Sequence, residues 1–265
     1  MDRIGERVNI EYRQAIAVVS LDRPDKYNGL DLAMMQALDK AARILRKRRE
    51  VRAVVLRGAG PAFCAGLDFA SVLRRPGKLV TAFLPWWRKT NLFQRLCLAW
   101  RDLDVPVIAV THGYCFGGGL QLALGCDFRI SSPDCQFSIM EIHWGLIPDM
   151  GASVSLRELL PADQALELTL TGRKFDAREA LDKHLITRID DNPLHAALDM
   201  AETIAAHSPD AVAAAKRLFR TTRVASERSA LRRERWLQFK LLLGSNQREA
   251  MKARMEKRVA RFKDR

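Results

Sequence analysis

The sequence predicts an α/β fold with covered sheets, followed by a helical C-terminal part. Two observations predict it. In the first half, short continuous apolar runs alternate with stretches of helical periodicity. After Gly151 the strand signals fade and helical patterns take over.

The runs Ile16–Leu21 (IAVVSL), 53–56 (AVVL) and 107–110 (VIAV) are short, rich in β-branched residues and bounded by turn residues. Strands buried on both faces read this way. Between the first two lies 31–49, where Leu32, Met35, Leu38, Ala42 and Leu45 recur at helical spacing. Asp31 is placed to cap that helix. Residues 71–89 hold Pro76, Gly77, Pro85, several cations and the pair Trp86–Trp87, and read as an irregular surface segment or a lid. Helical patterns then run through 161–170, 177–181, 194–207, 209–219 and 227–243, and 246–265 reads as a basic helix with a short tail.

The 265 residues, 48% of them hydrophobic, are enough for one substantial core. No eighteen-residue apolar run occurs, and the opening MDRIGERVNIEYRQ lacks the apolar stretch of a secretory signal. No membrane span and a cytoplasmic location are therefore expected. Five cysteines without a Cys-x-x-Cys pair argue against a disulfide framework or a zinc site, so no metal is expected. Cys64 reads as a packed side chain with no base beside it. The net charge of +13 suits a polyanionic partner, whether nucleic acid, anionic lipid or a small molecule.

Two segments carry chemistry. In Pro61–Ser71 (PAFCAGLDFAS), Ala65 and Gly66 remove bulk where the chain turns toward a helix, leaving N–H groups of Gly66 and Leu67 to point outward. In 107–127 (VIAVTHGYCFGGGLQLALGCD), a buried strand runs into Gly117-Gly118-Gly119 and a helix. The glycines do not form G-x-G-x-x-G, and no P-loop lysine follows. A backbone cradle for a small anion fits better. Two such cradles on separate strands are what a developing oxyanion requires.

Together, FCAGLDF and HGYCFGGGLQLALGCDFRISSPDCQFSIMEIHWGLIPDMG resemble the double signature of the enoyl-CoA hydratase/isomerase (crotonase) superfamily. LDRPDKYNGLD at Leu21–Asp31 resembles its first characteristic stretch, and MEKRVARFKDR its C-terminus. The resemblance implies a crotonase-like ββα spiral core over 1–195 holding an acyl-CoA site, and a helical C-terminal oligomerisation region over 196–265. It implies a homotrimer or dimer of trimers. Coenzyme A would arrive as part of the substrate, with no separate cofactor, and its phosphates suit the positive charge.

By the same resemblance, the thioester carbonyl sits between the N–H groups of Leu67 and Gly118, with Ala65, Gly66 and Gly117 in the surrounding loops. Asp68 is expected to cap or orient the adjacent helix. Hydratases of the family carry two carboxylates near the reacting carbons. The first position here is Gln121, whose amide cannot exchange a proton at working pH. The second is Glu141, which is present, and Asp149 follows eight residues later. Dienoyl-CoA isomerases have an acidic residue at that later place, so Glu141 with Asp149 favours double-bond isomerisation. The alternative is hydration by Glu141, with Gln121 orienting a water. His112 reads as structural, while His143 shares a strand face with Glu141. Lys26, some of Arg258, Arg261 and Lys263, and Phe262 are candidate coenzyme A contacts. Phe83, Leu84, Trp86 and Trp87 suggest an apolar acyl pocket.

Two readings of other classes remain. A catalytically idle CoA-binding subunit keeps the loops without the chemistry. The superfamily also includes an RNA-binding member, for which 217–235 with Arg220, Arg223, Arg228, Arg232 and Arg233 would be the basic stripe. No aromatic ladder accompanies that charge, which argues against nucleic acid.

Overall fold

The computed structural model describes residues 2–73, 77, 81–82 and 89–265, with backbone alone at 72 and 73. Its centre is a seven-stranded sheet in the order β1-β2-β3-β4-β5-β7-β9. β1 (Asp2–Ile4), β2 (Val8–Arg13) and β3 (Ile16–Leu21) pair antiparallel. From β3 onward the neighbours are parallel: β4 (Ala53–Gly58), β5 (Val107–Thr111), β7 (Phe128–Ser131) and β9 (Arg188–Ile189). A second sheet pairs β6 (Tyr114–Phe116) with β8 (Gln136–Ser138).

The central strands are apolar throughout because both faces are covered. On one face Val19, Leu21, Val54, Leu56 and Ala109 meet Met34, Met35 and Leu38 of α1 (Leu32–Leu45) and residues of α3 (Leu92–Arg101). On the other, Ile16, Val18, Ala53, Val55, Ile108 and Val110 meet Ala196, Ala197 and Ala201 of α8 (Pro193–Ala205). The period of two along each strand sends alternate side chains to opposite cores. Leu56 is fully buried, so truncation to Ala would cost roughly 2–5 kcal/mol.

Asp31 caps α1 as expected, its Oδ1 accepting the Met34 N–H at 2.7 Å. α3 begins with a reciprocal Asn91–Gln94 capping box. α2 (Phe69–Leu73) and α4 (Gly118–Leu124) are short and begin beside the ends of β4 and β6. After them come α5 (Ala152–Leu159), α6 (Ala162–Thr171) and α7 (Ala177–Asp182). The chain ends with α9 (Pro209–Thr222), α10 (Glu227–Leu242) and α11 (Ser245–Met255).

The helices α9 and α10 are separated at residues 223–226, as the separate patterns 209–219 and 227–243 predict, so the basic stripe 217–235 spans both. One expectation changes here. Residues 141–144 form a 3-10 turn rather than a strand, so Glu141 and His143 do not share a strand face. The local pattern EIHW has no glycine or proline to show this; the turn is set by Gly145, which takes a left-handed φ of 67° at its end.

Candidate active site

The parallel strands β4 and β5 end at the same edge of the sheet, and the chain leaves both toward one place. After β4, residues 61–67 run alongside the segment after β5. Cys64 N–H donates to Tyr114 O at 2.9 Å, and Phe116 N–H donates to Cys64 O at 3.0 Å. Leu30 closes the other side: its N–H donates to Gly66 O at 2.8 Å, and its carbonyl accepts the Asp68 N–H. The loop around Leu67 is thus held from two sides by backbone bonds.

Glycine is required at the closest approaches. Gly66 has φ +95°, and a methyl group there would stand 2.9 Å from the Phe116 carbonyl oxygen and 3.7 Å from the Gly118 nitrogen. Gly119 packs so closely on Cys64 that a methyl would meet its carbonyl oxygen at 2.4 Å. Both contacts press the start of α4 against the Leu67 loop. Among the described residues no acceptor engages the N–H of Leu67 or of Gly118. Gly118 is the first residue of α4, where helical N–H groups lack internal partners.

These N–H groups open onto a cavity of about 510 Å³, lined by Leu67, Gly118, Glu141, Asp149, Phe93 and Met150 among others. Phe69 and Trp144 stack across it with ring centroids 4.4 Å apart. Its rim is apolar and open, with Ile147 74% exposed. Phe83, Leu84, Trp86 and Trp87, expected in an acyl pocket, lie outside the described residues.

Glu141 is buried against this cavity. Its Oε1 accepts the Gln121 Nε2–H at 2.7 Å, and its buried Oε2 has no hydrogen-bond partner. Burial raises its pKa above the ordinary glutamate value; the Gln121 bond opposes this and the Asp149 charge adds to it. Burial likewise raises Asp149. Asp149 does not cap α5, whose N-cap is Gly151 with no side-chain bond, so its carboxylate is left to the cavity. Gln121 is saturated at its oxygen, which accepts the N–H groups of Met150 at 2.8 Å and Ala152 at 3.2 Å.

Asp68 caps α2 by accepting from the Ser71 N–H and hydroxyl, and it pairs with Arg23 at 2.8 Å. Lys26 lies exposed beside Tyr27, whose carbonyl accepts the Ala65 N–H, so it is close to the same loop. Phe262 is elsewhere. Its ring packs 5.9 Å from the Arg52 guanidinium, just before β4, at the opposite end of that strand from the Leu67 loop. The tail folds back there because Arg52 donates to the Phe262 carbonyl and Arg265 pairs with Asp104. Phe262 therefore does not line the cavity of its own chain. Arg258 is taken up by Glu249 at 2.6 Å and by Glu256.

His112 and His143 bond the carbonyls of Gly60 and Gly172, each at 3.0 Å. Cys64 is fully buried and its thiol is pushed up to about 12, consistent with a packed side chain. Arg23, Phe69 and Met150 were not singled out by the sequence. Arg23 lies in the DRPDKYNG stretch, so it could have been suspected; nothing local marks Met150, which reaches Gln121 only through the fold.

Sheet, flanking helices and the two joined loops define an α/β protein of the crotonase class. The enoyl-CoA hydratase/isomerase family model matches residues 11–265. A probable enoyl-CoA hydratase of Rhizobium meliloti is 34% identical over 264 residues, covering 98% of this chain and 99% of that one. The mouse mitochondrial Delta(3,5)-Delta(2,4)-dienoyl-CoA isomerase is 36% identical over 208 residues, covering 75% of this chain and 63% of its own. A crystal structure of enoyl-CoA hydratase from Bacillus anthracis superposes with a TM-score of 0.89 at 27% identity, covering 97% and 99% of the two chains. The chain belongs to the enoyl-CoA hydratase/isomerase family and is an acyl-CoA enzyme of that type. Among the described residues no helix is long and apolar enough to cross a membrane.

Proposed function

We propose that this enzyme moves a double bond in an enoyl-CoA thioester, with Glu141 as the proton carrier. The observation that carries the reading is the state of the Glu141 carboxylate. One oxygen is fixed by Gln121, the other is buried without a hydrogen-bond partner, and the residue lines the cavity. A carboxylate with a raised pKa is suited to take a proton from carbon and hold it.

The thioester carbonyl is received by the Leu67 and Gly118 N–H groups. When the Glu141 carboxylate removes a proton from the carbon chain, the electron pair left behind is delocalised onto the thioester carbonyl oxygen. The two N–H groups, already oriented, stabilise the charge, each worth about 2.7–4 kcal/mol in comparable sites. The proton on Glu141 then returns to a carbon further along, and the double bond has moved. Asp149 supplies a second carboxylate for longer conjugated systems, while its charge keeps Glu141 basic. Ala65, Gly66 and Gly117 shape the cradle, Asp68 anchors it, and Lys26 attracts the phosphates of coenzyme A. No separate cofactor takes part.

Hydration by Glu141 is the second reading, favoured by the names of several relatives. Gln121 supports it less, because its oxygen already accepts two backbone N–H groups. Exposed Leu231, Trp236, Phe239 and Leu242 on α10 support association of copies through the C-terminal helices, as a trimer or a dimer of trimers. The test is a panel of 2-enoyl, 3-enoyl and 3,5-dienoyl thioesters with wild type, Glu141→Gln and Asp149→Asn. Isomerisation lost in Glu141→Gln supports the proposal. Fast hydration without double-bond migration overturns the isomerase assignment, and no turnover of any substrate leaves an idle CoA-binding protein.

A further inference from the structure

A second cavity, of about 410 Å³, lies at the C-terminal end of α4, bounded by β7, α5, α8 and α9. It shares no lining residue with the cavity around Glu141. Its lining includes five cationic side chains, Arg101, Arg129, Lys216, Arg220 and Arg223, against the carboxylates Asp127 and Glu158.

Three of the cations are matched. Arg101 pairs with Glu158 at 2.6 Å, Lys216 with Asp127 at 2.6 Å, and Arg220 with Asp102. Asp127 is used further, since the same oxygen accepts the Val107 N–H at 2.8 Å. Arg129 and Arg223 remain. Among the described residues neither forms an ion pair.

Arg129 is 6% exposed, and its guanidinium is tied by Nε to Leu185 O at 2.7 Å and by Nη1 to Cys126 O at 2.6 Å. Those two bonds fix its direction without pairing its charge, which Asp127 offsets only from beyond ion-pair distance. Burial holds its pKa below the ordinary arginine value; Cys126 and Asp127 oppose this, and the Arg223 charge adds to it. A buried cation kept without a directly paired counter-ion, beside a second unpaired cation, is costly unless an anion completes it. A planar guanidinium held rigid by its backbone bonds, with one nitrogen left over, suits a tetrahedral or planar oxyanion. The volume is enough for a small ligand.

We propose that this cavity binds a small phosphate-bearing anion between Arg129 and Arg223, separately from the acyl-CoA site. Arg129 orients one phosphate from inside, and Arg223 closes over it from the exposed end of α9.

The test titrates the native assembly with inorganic phosphate and with pyrophosphate, by calorimetry at fixed ionic strength and with saturating free coenzyme A present. Saturable binding is expected, tighter for pyrophosphate, and weakened roughly tenfold or more by Arg223→Ala. Arg223 is on the surface, so the variant folds, and its KM for acyl-CoA should not change. No saturable binding overturns the proposal. So does binding that coenzyme A displaces or that Arg223→Ala leaves intact, because the anion then sits in the acyl-CoA site. A lower assembly mass for Arg223→Ala, with no anion bound by wild type, would mean that a carboxylate of a second copy fills the cavity, and this also overturns it.

Discussion

Gln121 donates to Glu141 Oε1 across 2.7 Å while its own oxygen accepts the N–H groups of Met150 and Ala152. One amide therefore ties the helix after the glycines to the carboxylate and to the start of α5. In the proposed mechanism it is a fixed support for the carboxylate, whose Oε2 has no hydrogen-bond partner.

Replacing Glu141 with Gln keeps that support, since the new side-chain oxygen can still accept from Gln121. Turnover should fall by about 10²–10⁴-fold, with KM changed little. Steady-state kinetics on the best thioester checks this. A KM effect alone would place Glu141 in binding instead.

The raised Glu141 pKa also sets a pH dependence. Its folded value lies above the ordinary 4.5, so between the two the native state holds more protons than the unfolded chain. Stability contributed by this group is present below 4.5 and declines as pH rises through the folded value. Glu141→Gln should accordingly have a higher Tm than wild type at neutral pH and no advantage near pH 4. Activity, which needs the ionised base, should rise through the same window, with its acid limb above the usual carboxylate range.

Gln121→Glu brings a second carboxyl to hydrogen-bond distance from Glu141. The two cannot both ionise easily, so one proton is shared and the apparent pKa of the pair rises. The acid limb of the pH–rate profile should move to higher pH. Gln121→Ala instead strands the Met150 and Ala152 N–H groups, at about 1–3 kcal/mol for each one left unsatisfied, measurable by urea unfolding.

Gly66→Ala forces a methyl 2.9 Å from the Phe116 carbonyl at a φ of +95°. The Leu67 N–H must then shift away from Gly118. A folded but slow enzyme is expected, with kcat lower by about 10²–10³-fold; circular dichroism and kcat together separate this from simple misfolding.

Arg23→Met leaves Asp68 without its guanidinium partner. Although burial opposes it, the Ser71 hydroxyl and Arg23 hold the Asp68 pKa below the ordinary value. Loss of the pair should destabilise by up to about 3 kcal/mol, and Asp68→Asn in the same chain should recover part of it. Double-mutant unfolding curves give the coupling directly.

The sequence by itself determined the strands β3, β4 and β5, α1 with its Asp31 cap, and the two glycine-bearing loops. These depend on local physics: continuous apolar runs, helical spacing, and turns that admit no side chain. It also supplied Leu67, Gly118, Glu141 and Asp149 of the cavity lining, because the family signature spans both loops and Glu141. Tertiary structure decided the rest. It made 141–144 a 3-10 turn, joined Met150 to Gln121, and packed Phe262 on Arg52 away from the cavity of its own chain. The last two depend on partners far away in sequence, which no local pattern encodes. The same holds for Arg129: a lone arginine after Cys-Asp-Phe looks like surface charge until β7 places it in the interior, tied to backbone carbonyls and in no ion pair among the described residues.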